Sequence, residues 1–247
     1  MNLEKITMKP EKVEELKALC LRRYNQANNF FNSTQTFSKA AIGKPLTEEA
    51  ELPGFENRQP KFGEFIEKDF VVMMTDICKS TDIINRPRGV RDMFIIYYIY
   101  SAVVAKLVDE YKGTSTEFLG DGVLSLFDTD SGIHEAMKHA MVSSQQIMYA
   151  RQYILNPFFL QYGLPCIDFG IGIDYGTTIV TRFGHSQDND LKAFGKCVYE
   201  ASKLSKSYNE VLVSAGAQSN WPTAENGILN FLNKQVGSKF AYAAYLL

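Results

Sequence analysis

Two aspartates occupy positions where their carboxylates could converge on metal ions. Asp76 follows the apolar run 70–75, and Asp121 lies in a Gly-Asp-Gly segment between two apolar stretches. The run predicts a strand, and the Gly-Asp-Gly segment predicts a tight turn between two further strands. A carboxylate at a strand end and one at a hairpin tip can meet, and such a pair can hold Mg²⁺ or Mn²⁺ for in-line attack at a nucleoside triphosphate. Simpler roles stay open, a helix cap for Asp76 and a bare turn for Asp121.

The elements that must position these aspartates follow from periodicity. Helical spacing predicts helices over residues 10–30, 90–111, 133–155 (ending before Pro157) and 196–207. The predicted strands are 69–75, a hairpin over 114–127, two strands at 166–175 and 177–183 around Gly176, 210–214 and a last strand at 239–247. The order β-α-β-β-α-β predicts an α+β, ferredoxin-like sheet.

Composition narrows the classes of protein to consider. The chain has 247 residues, 45% of them hydrophobic, which is enough for a substantial core. A net charge of −2 gives no reason to expect nucleic acid or an anionic membrane as partner. The longest apolar stretch, residues 93–105, is shorter than the roughly 20 residues that a membrane span needs. With scattered cysteines and no apolar leader, we expect a cytoplasmic protein.

Four sequence blocks carry a resemblance to a known family. They are VMMTDICKST at 72–81, EFLGDGV at 117–123, FGIGIDYG at 169–176 and AFGKCVYEASKL at 193–204. Together they resemble the catalytic domain of class III nucleotidyl cyclases. The resemblance implies that residues 69–247 form a cyclase catalytic domain and that residues 1–68 form an N-terminal helix and connector. It also implies a homodimer.

The resemblance assigns the metal ligands. Asp76 and Asp121 would bind two Mn²⁺ or Mg²⁺ ions, with the carbonyl of Ile77 as an additional ligand. One ion would lower the pKa of the ribose 3′-hydroxyl, and the other would neutralise the triphosphate and the leaving pyrophosphate.

It assigns the phosphate contacts as well. The segment 78–82 would open a helix whose free amides bind the β and γ phosphates, with Ser80 and Thr81 as further donors. Lys239, ahead of the last strand, falls where cyclases often place a triphosphate-binding lysine. A solvated strand start is the alternative for Lys239.

Two positions would read the base in this family. At the first position adenylyl cyclases have a lysine, whereas this chain has Glu117, as in guanylyl cyclases. The second position is Lys192. A carboxylate only accepts hydrogen bonds and an ammonium only donates them. The pair therefore suits a base with an N–H beside a carbonyl, which uracil and guanine have and adenine lacks. A simple salt pair between the two residues remains the alternative.

Three positions depart from the family pattern. The catalytic Asn and Arg that position the ribose and stabilise the transition state are Tyr199 and Lys203 here, and Lys196 replaces an acidic residue. Lys203 keeps a cation without the bidentate fork of arginine. Tyr199 keeps a hydroxyl but would narrow the pocket, which favours the smaller pyrimidine ring.

These features resemble, more narrowly, the pyrimidine cyclases of the bacterial Pycsar antiphage systems. That resemblance implies synthesis of cUMP from UTP, and a product that activates a separate effector protein. Cytidylate or guanylate cyclisation stays open, as does a catalytically silent module for nucleotide binding or dimerisation. In the homodimer, Asp76 and Asp121 would come from one subunit, and Lys192, Tyr199 and Lys203 from the other.

Overall fold

A computed structural model describes residues 8–32, 60–61, 63–185, 188–221 and 229–246. The helices are α1 (Pro10–Asn32), α2 (Ser80–Ile84), α3 (Gly89–Glu110), α4 (Ile133–Ala150), α5 (Asn156–Gln161), α6 (Lys196–Leu204) and α7 (Ala215–Ser219). The strands are β1 (Phe65–Ile77), β2 (Gly113–Leu119), β3 (Gly122–Asp128), β4 (Phe169–His185), β5 (Asp188–Phe194), β6 (Val211–Ser214), β7 (Leu229–Val236) and β8 (Lys239–Leu246).

One mixed sheet organises these elements, with strand order β2-β3-β1-β4-β6-β8-β7 and with β5 paired to β4. Strands β1 to β4 pair antiparallel in the order β2-β3-β1-β4. With α3 after β1 and α4 after β3, they form the ferredoxin-like β-α-β-β-α-β unit. The predicted α+β fold is therefore confirmed.

The sheet has a buried core on each face, and β1 contributes to both. Val71, Met73 and Ile77 pack with α1, α3 and α4 on one face. Phe70, Val72 and Met74 pack on the opposite face with residues of β5 and α6. Because side chains alternate along a strand, Asp76 points to the same face as Met74. The Asp76 side chain therefore lies on the face that carries α6.

Helix α1 is part of the first core. Its buried residues Leu16, Leu19, Cys20 and Ala27 belong to the same cluster as the buried face of α3. The predicted connector between α1 and β1 lies largely outside the described residues, and the division at 68/69 stays a prediction.

Tertiary pairing overrides two local signals. Strand β4 runs without interruption through Gly176, which pairs with Phe70 in a continuous ladder against β1. The expectation of two strands around Gly176 was therefore wrong. The helix after residue 133 also continues past Pro157, through a π-helical turn at Arg151–Leu155 and then α5. Pro157 is the second residue of α5, directly after the π-helical turn, so the break that it predicted is absorbed by the change in helix type.

Candidate active site

The structure brings Asp76 and Asp121 together. Asp76 is the penultimate residue of β1 and pairs with Gly122 of β3, while Asp121 lies in the turn between β2 and β3. The N–H of Ile77 donates to the carbonyl of Asp121 over 3.2 Å, which ties the strand end to the turn. Gly120 has φ 60°, so the sharp turn uses the conformational freedom of glycine. The convergence thus rests on backbone pairing rather than on flexible side chains.

The two carboxylates differ in their surroundings. Asp76 is only 6% exposed. Burial raises the pKa of Asp76, and the nearby charge of Asp121 raises it further, while Lys206 opposes both. The Ser80 hydroxyl, at the start of α2, donates to Asp121 Oδ2. Thr81 follows in α2 and is exposed.

Lys206 is a partner of this site that sequence reasoning missed. Its Nζ lies 2.7 Å from Asp76 Oδ2. Lys206 follows α6 in the segment 205–210, and the sequence offers no motif that distinguishes it from a solvated lysine in a polar turn. The ammonium offsets part of the negative charge of the buried Asp76 carboxylate.

The arrangement fits a divalent cation. Two carboxylates and a backbone carbonyl are the oxygen ligands that Mg²⁺ and Mn²⁺ prefer. A buried carboxylate beside a second carboxylate is unfavourable without a nearby cation, and here the ammonium of Lys206 supplies that positive charge. Asp76, Asp121 and the carbonyl of Ile77 are the residues that would hold metal.

Glu117 and Lys192 meet within one chain. Glu117, on β2, is 7% exposed and accepts a hydrogen bond from the N–H of Ala193 on β5 over 2.8 Å. Its second oxygen lies 3.1 Å from Lys192 Nζ. Strand β5, which the sequence did not predict, delivers Lys192 to this place. The pairing agrees with both interpretations of the two residues, a base-reading pair and a simple salt pair.

Tyr199, Lys203 and Lys239 form a separate group. Lys203 Nζ lies 4.3 Å from the ring centroid of Tyr199, and the hydrogen bond to Tyr199 raises the pKa of Lys203. Lys239 pairs with Glu200 on α6. Tyr199 is 57% exposed, so its ring is available to a ligand or to another subunit.

A cavity adjoins this second group. It has a volume of about 910 Å³ and is lined by β4, α6 and the β7–β8 hairpin, with Lys196, Lys203 and Lys239 on its wall. Among the described residues, no hydrogen bond or ion pair joins Lys203 or Lys239 to the two aspartates. One chain therefore carries an acidic cluster at Asp76 and Asp121 and a separate basic cluster on α6 and β8.

None of the helices within the described ranges is long and apolar enough to cross a bilayer.

Comparisons with known proteins place the fold. No family model matches the chain. Over 144 residues it is 29% identical to an adenylate cyclase of Anabaena cylindrica, an alignment that covers 57% of this chain and 28% of that relative. The chain thus matches well under a third of that relative's length.

Solved structures resemble most of the chain. The guanylyl cyclase Cya2 has a TM-score of 0.61 at 18% identity, covering 72% of this chain and 92% of its own. The adenylyl cyclase CyaB from P. aeruginosa has a TM-score of 0.62 at 20% identity, covering 74% of this chain and 96% of its own. The guanylate cyclase domain of RhGC from Catenaria anguillulae, in complex with GTP, has a TM-score of 0.60 at 14% identity, covering 74% of this chain and 98% of its own. The fold is that of class III nucleotidyl cyclase catalytic domains, as the four sequence blocks predicted.

Proposed function

We propose that this chain, which has the class III nucleotidyl cyclase fold, is a nucleotidyl cyclase that converts UTP to 3′,5′-cyclic UMP and pyrophosphate. The observation that carries the proposal is the meeting of Asp76 and Asp121 at the end of β1. A domain that only binds or dimerises has no need of two converging carboxylates, one of them nearly fully buried. Divalent ions held there would activate the 3′-hydroxyl and neutralise the triphosphate.

The chain's own residues would supply binding and positioning. Ser80, already a donor to Asp121, lies where it can also contact a phosphate, and Thr81 is exposed beside it. Lys203 would provide positive charge near the transferring phosphorus, and Lys239 would bind the triphosphate once released from Glu200. Tyr199 would support the ribose through its hydroxyl.

The separation of the acidic cluster from the basic cluster supports a homodimer. Lys203 and Lys239 form no ion pair with the aspartates of their own chain among the described residues, so we place them opposite the aspartates of a second subunit. A two-fold axis would then build two composite sites. Glu117 and Lys192 pair within one chain, so both would come from the same subunit of a composite site.

The choice of UTP rests on Glu117 and Lys192. The oxygen of Glu117 that faces Lys192 can accept N3–H of uracil, and Lys192 has three donors and can serve Glu117 and O4 together. Guanine offers the same pattern at N1–H and O6, so guanylate cyclisation is the first alternative. Cytosine has an acceptor at N3 and matches Glu117 less well.

The biological role is a narrower proposal. The resemblance to Pycsar cyclases supports a cytoplasmic enzyme of antiphage defence whose cyclic nucleotide activates a separate effector protein. The net charge of −2 agrees with a protein that acts without a nucleic-acid partner.

A catalytically silent module is the second candidate. Tyr199 and Lys203 replace the family's catalytic pair, and the Glu117–Lys192 ion pair could be structural. Incubating the purified chain with each of the four nucleoside triphosphates and Mn²⁺ or Mg²⁺, with mass analysis of products, separates the candidates. Cyclic UMP that is lost in Asp121→Ala would support the proposal. No cyclic product from any nucleotide would favour the silent module.

A further inference from the structure

The Lys206 ammonium contacts one of the two carboxylates of the proposed metal site. Its Nζ lies 2.7 Å from Asp76 Oδ2, and the neighbouring Ile77 N–H is bonded to the carbonyl of Asp121. We propose that Lys206 is a resident counter-cation of this site, which a divalent ion must displace from Asp76, so that Lys206 sets the metal affinity. The inference rests on the proposed function, because it takes Asp76 and Asp121 as metal ligands.

The location of Asp76 explains why a resident cation is useful. A nearly fully buried carboxylate beside a second carboxylate repels it and has lost much of its hydration. A charge-assisted hydrogen bond from an ammonium relieves both effects while the site holds no metal. Lys206 can therefore offset the charge of Asp76 beside Asp121 before any ion arrives.

The backbone, rather than chance, places Lys206 here. The segment that carries it packs so tightly on Gly170 that a Cβ there would lie 2.3 Å from the Ser207 carbonyl. The Cys78 thiol donates to that same carbonyl over 3.2 Å, and the N–H of Asn209 donates to the Phe169 carbonyl over 3.1 Å. These contacts anchor the Lys206 segment to β4 and to the loop after Asp76.

Replacement of the Lys206 ammonium by a metal ion is also feasible. The lysine side chain is 62% exposed, so its ammonium can return to water once displaced. Asp76 Oδ2 would then be free to coordinate an ion. The lysine and the metal thus compete for the same carboxylate oxygen, and removing the lysine charge should favour the metal.

The test is a Mn²⁺ titration of the full chain without nucleotide, in which electron paramagnetic resonance measures the free Mn²⁺. Lys206→Met should bind Mn²⁺ about tenfold more tightly than wild type, since the competing charge-assisted pair is lost. Lys206→Arg keeps a cation and should stay close to wild type. Lys79→Met removes an exposed lysine from the loop after Asp76 and controls for the general loss of positive charge.

Thermal unfolding provides a second readout. Without metal, Lys206→Met should melt below wild type, and Mn²⁺ should raise its melting temperature by more than it raises that of wild type. Unchanged or weaker Mn²⁺ binding by Lys206→Met, while Asp121→Ala loses binding, would overturn this inference and leave the metal site standing. A tightening no larger than that of Lys79→Met would also overturn it. Wild-type Mn²⁺ binding by Asp121→Ala would overturn the metal site and the inference together.

Discussion

Replacing Glu117 with glutamine should shift the base preference from UTP toward CTP. In the structure, Glu117 Oε1 accepts the N–H of Ala193 over 2.8 Å, and Oε2 faces Lys192 at 3.1 Å. The Ala193 N–H can only donate, so the side-chain amide oxygen of the Glu117→Gln variant must take the Oε1 position. The amide nitrogen then takes the Oε2 position as a donor. A donor there complements N3 of cytosine and opposes N3–H of uracil.

The size of the effect follows from one mismatched hydrogen bond. Leaving a buried polar group unpaired costs about 1–3 kcal/mol, which corresponds to roughly ten- to a hundredfold in kcat/KM. The ratio of kcat/KM for UTP to that for CTP should therefore fall by about that factor in Glu117→Gln.

The stability of the Glu117 variants distinguishes a loss of base recognition from a folding defect. Glu117→Gln keeps the acceptor for Ala193 and loses the part-exposed ion pair with Lys192, worth ~0.2–1 kcal/mol. Its amide donor then faces the Lys192 ammonium, which can only donate and must turn toward solvent. Glu117→Ala leaves the Ala193 N–H without its partner, at a cost of about 1–3 kcal/mol, and should melt at a lower temperature. The glutamine variant is therefore the cleaner probe.

The assay compares kcat/KM for the four nucleoside triphosphates in wild type and both variants. A wild type that prefers ATP would refute the base-reading argument. An unchanged UTP-to-CTP ratio in Glu117→Gln would do the same. Unchanged preference in Glu117→Ala would show that pocket shape, rather than this carboxylate, selects the base.

Three further predictions test the site and its surroundings. Asp76→Ala or Asp121→Ala should reduce cyclisation below ~0.1% of wild type with the fold intact, because lost charge stabilisation costs several kcal/mol; near wild-type turnover with Mn²⁺ would exclude the two-metal assignment. Mixing Asp76→Ala with Lys203→Ala subunits should restore roughly a quarter of wild-type activity through one composite site per mixed dimer; no recovery, or an active monomer at micromolar concentration, would contradict the shared site. Burial raises the pKa of Asp174, so the folded state holds the carboxyl proton more tightly than the unfolded chain does. The contribution of Asp174 to stability therefore falls as the pH rises above the pKa of this residue in the unfolded chain. Asp174→Asn should therefore be more stable than wild type at pH 7, with the difference vanishing in acid; equal melting temperatures at both pH values would refute this.

Much of the fold was predictable because its signals are local. The helices at 10–32 and 89–110 follow from apolar residues at helical spacing, and the hairpin around Asp121 follows from two apolar stretches flanking a glycine turn. The order of these elements was enough to predict the ferredoxin-like unit. The convergence of Asp76 and Asp121 was expected for the same reason, since Asp76 lies at the end of a predicted strand and Asp121 at the tip of a predicted hairpin.

Pairing between distant strands decided what local signals could not. Gly176 and Pro157 both predicted breaks, yet the ladder with β1 and the packing of α5 on the core carry the chain through them. Strand β5 forms because it pairs with the C-terminal part of β4. Its own sequence has no strong alternation of apolar and polar residues that would predict a strand.

The details of the candidate site depend most on tertiary structure. Lys206 and Asp76 are 130 residues apart, and Glu117 and Lys192 are 75 residues apart. Sequence by itself determined which residue types could hold metal and a base. Only the folded sheet decided which charges neutralise one another, because an ion pair requires proximity within a few ångströms that no local pattern records. The geometry of the same sheet also separates the acidic cluster from the basic cluster on one chain.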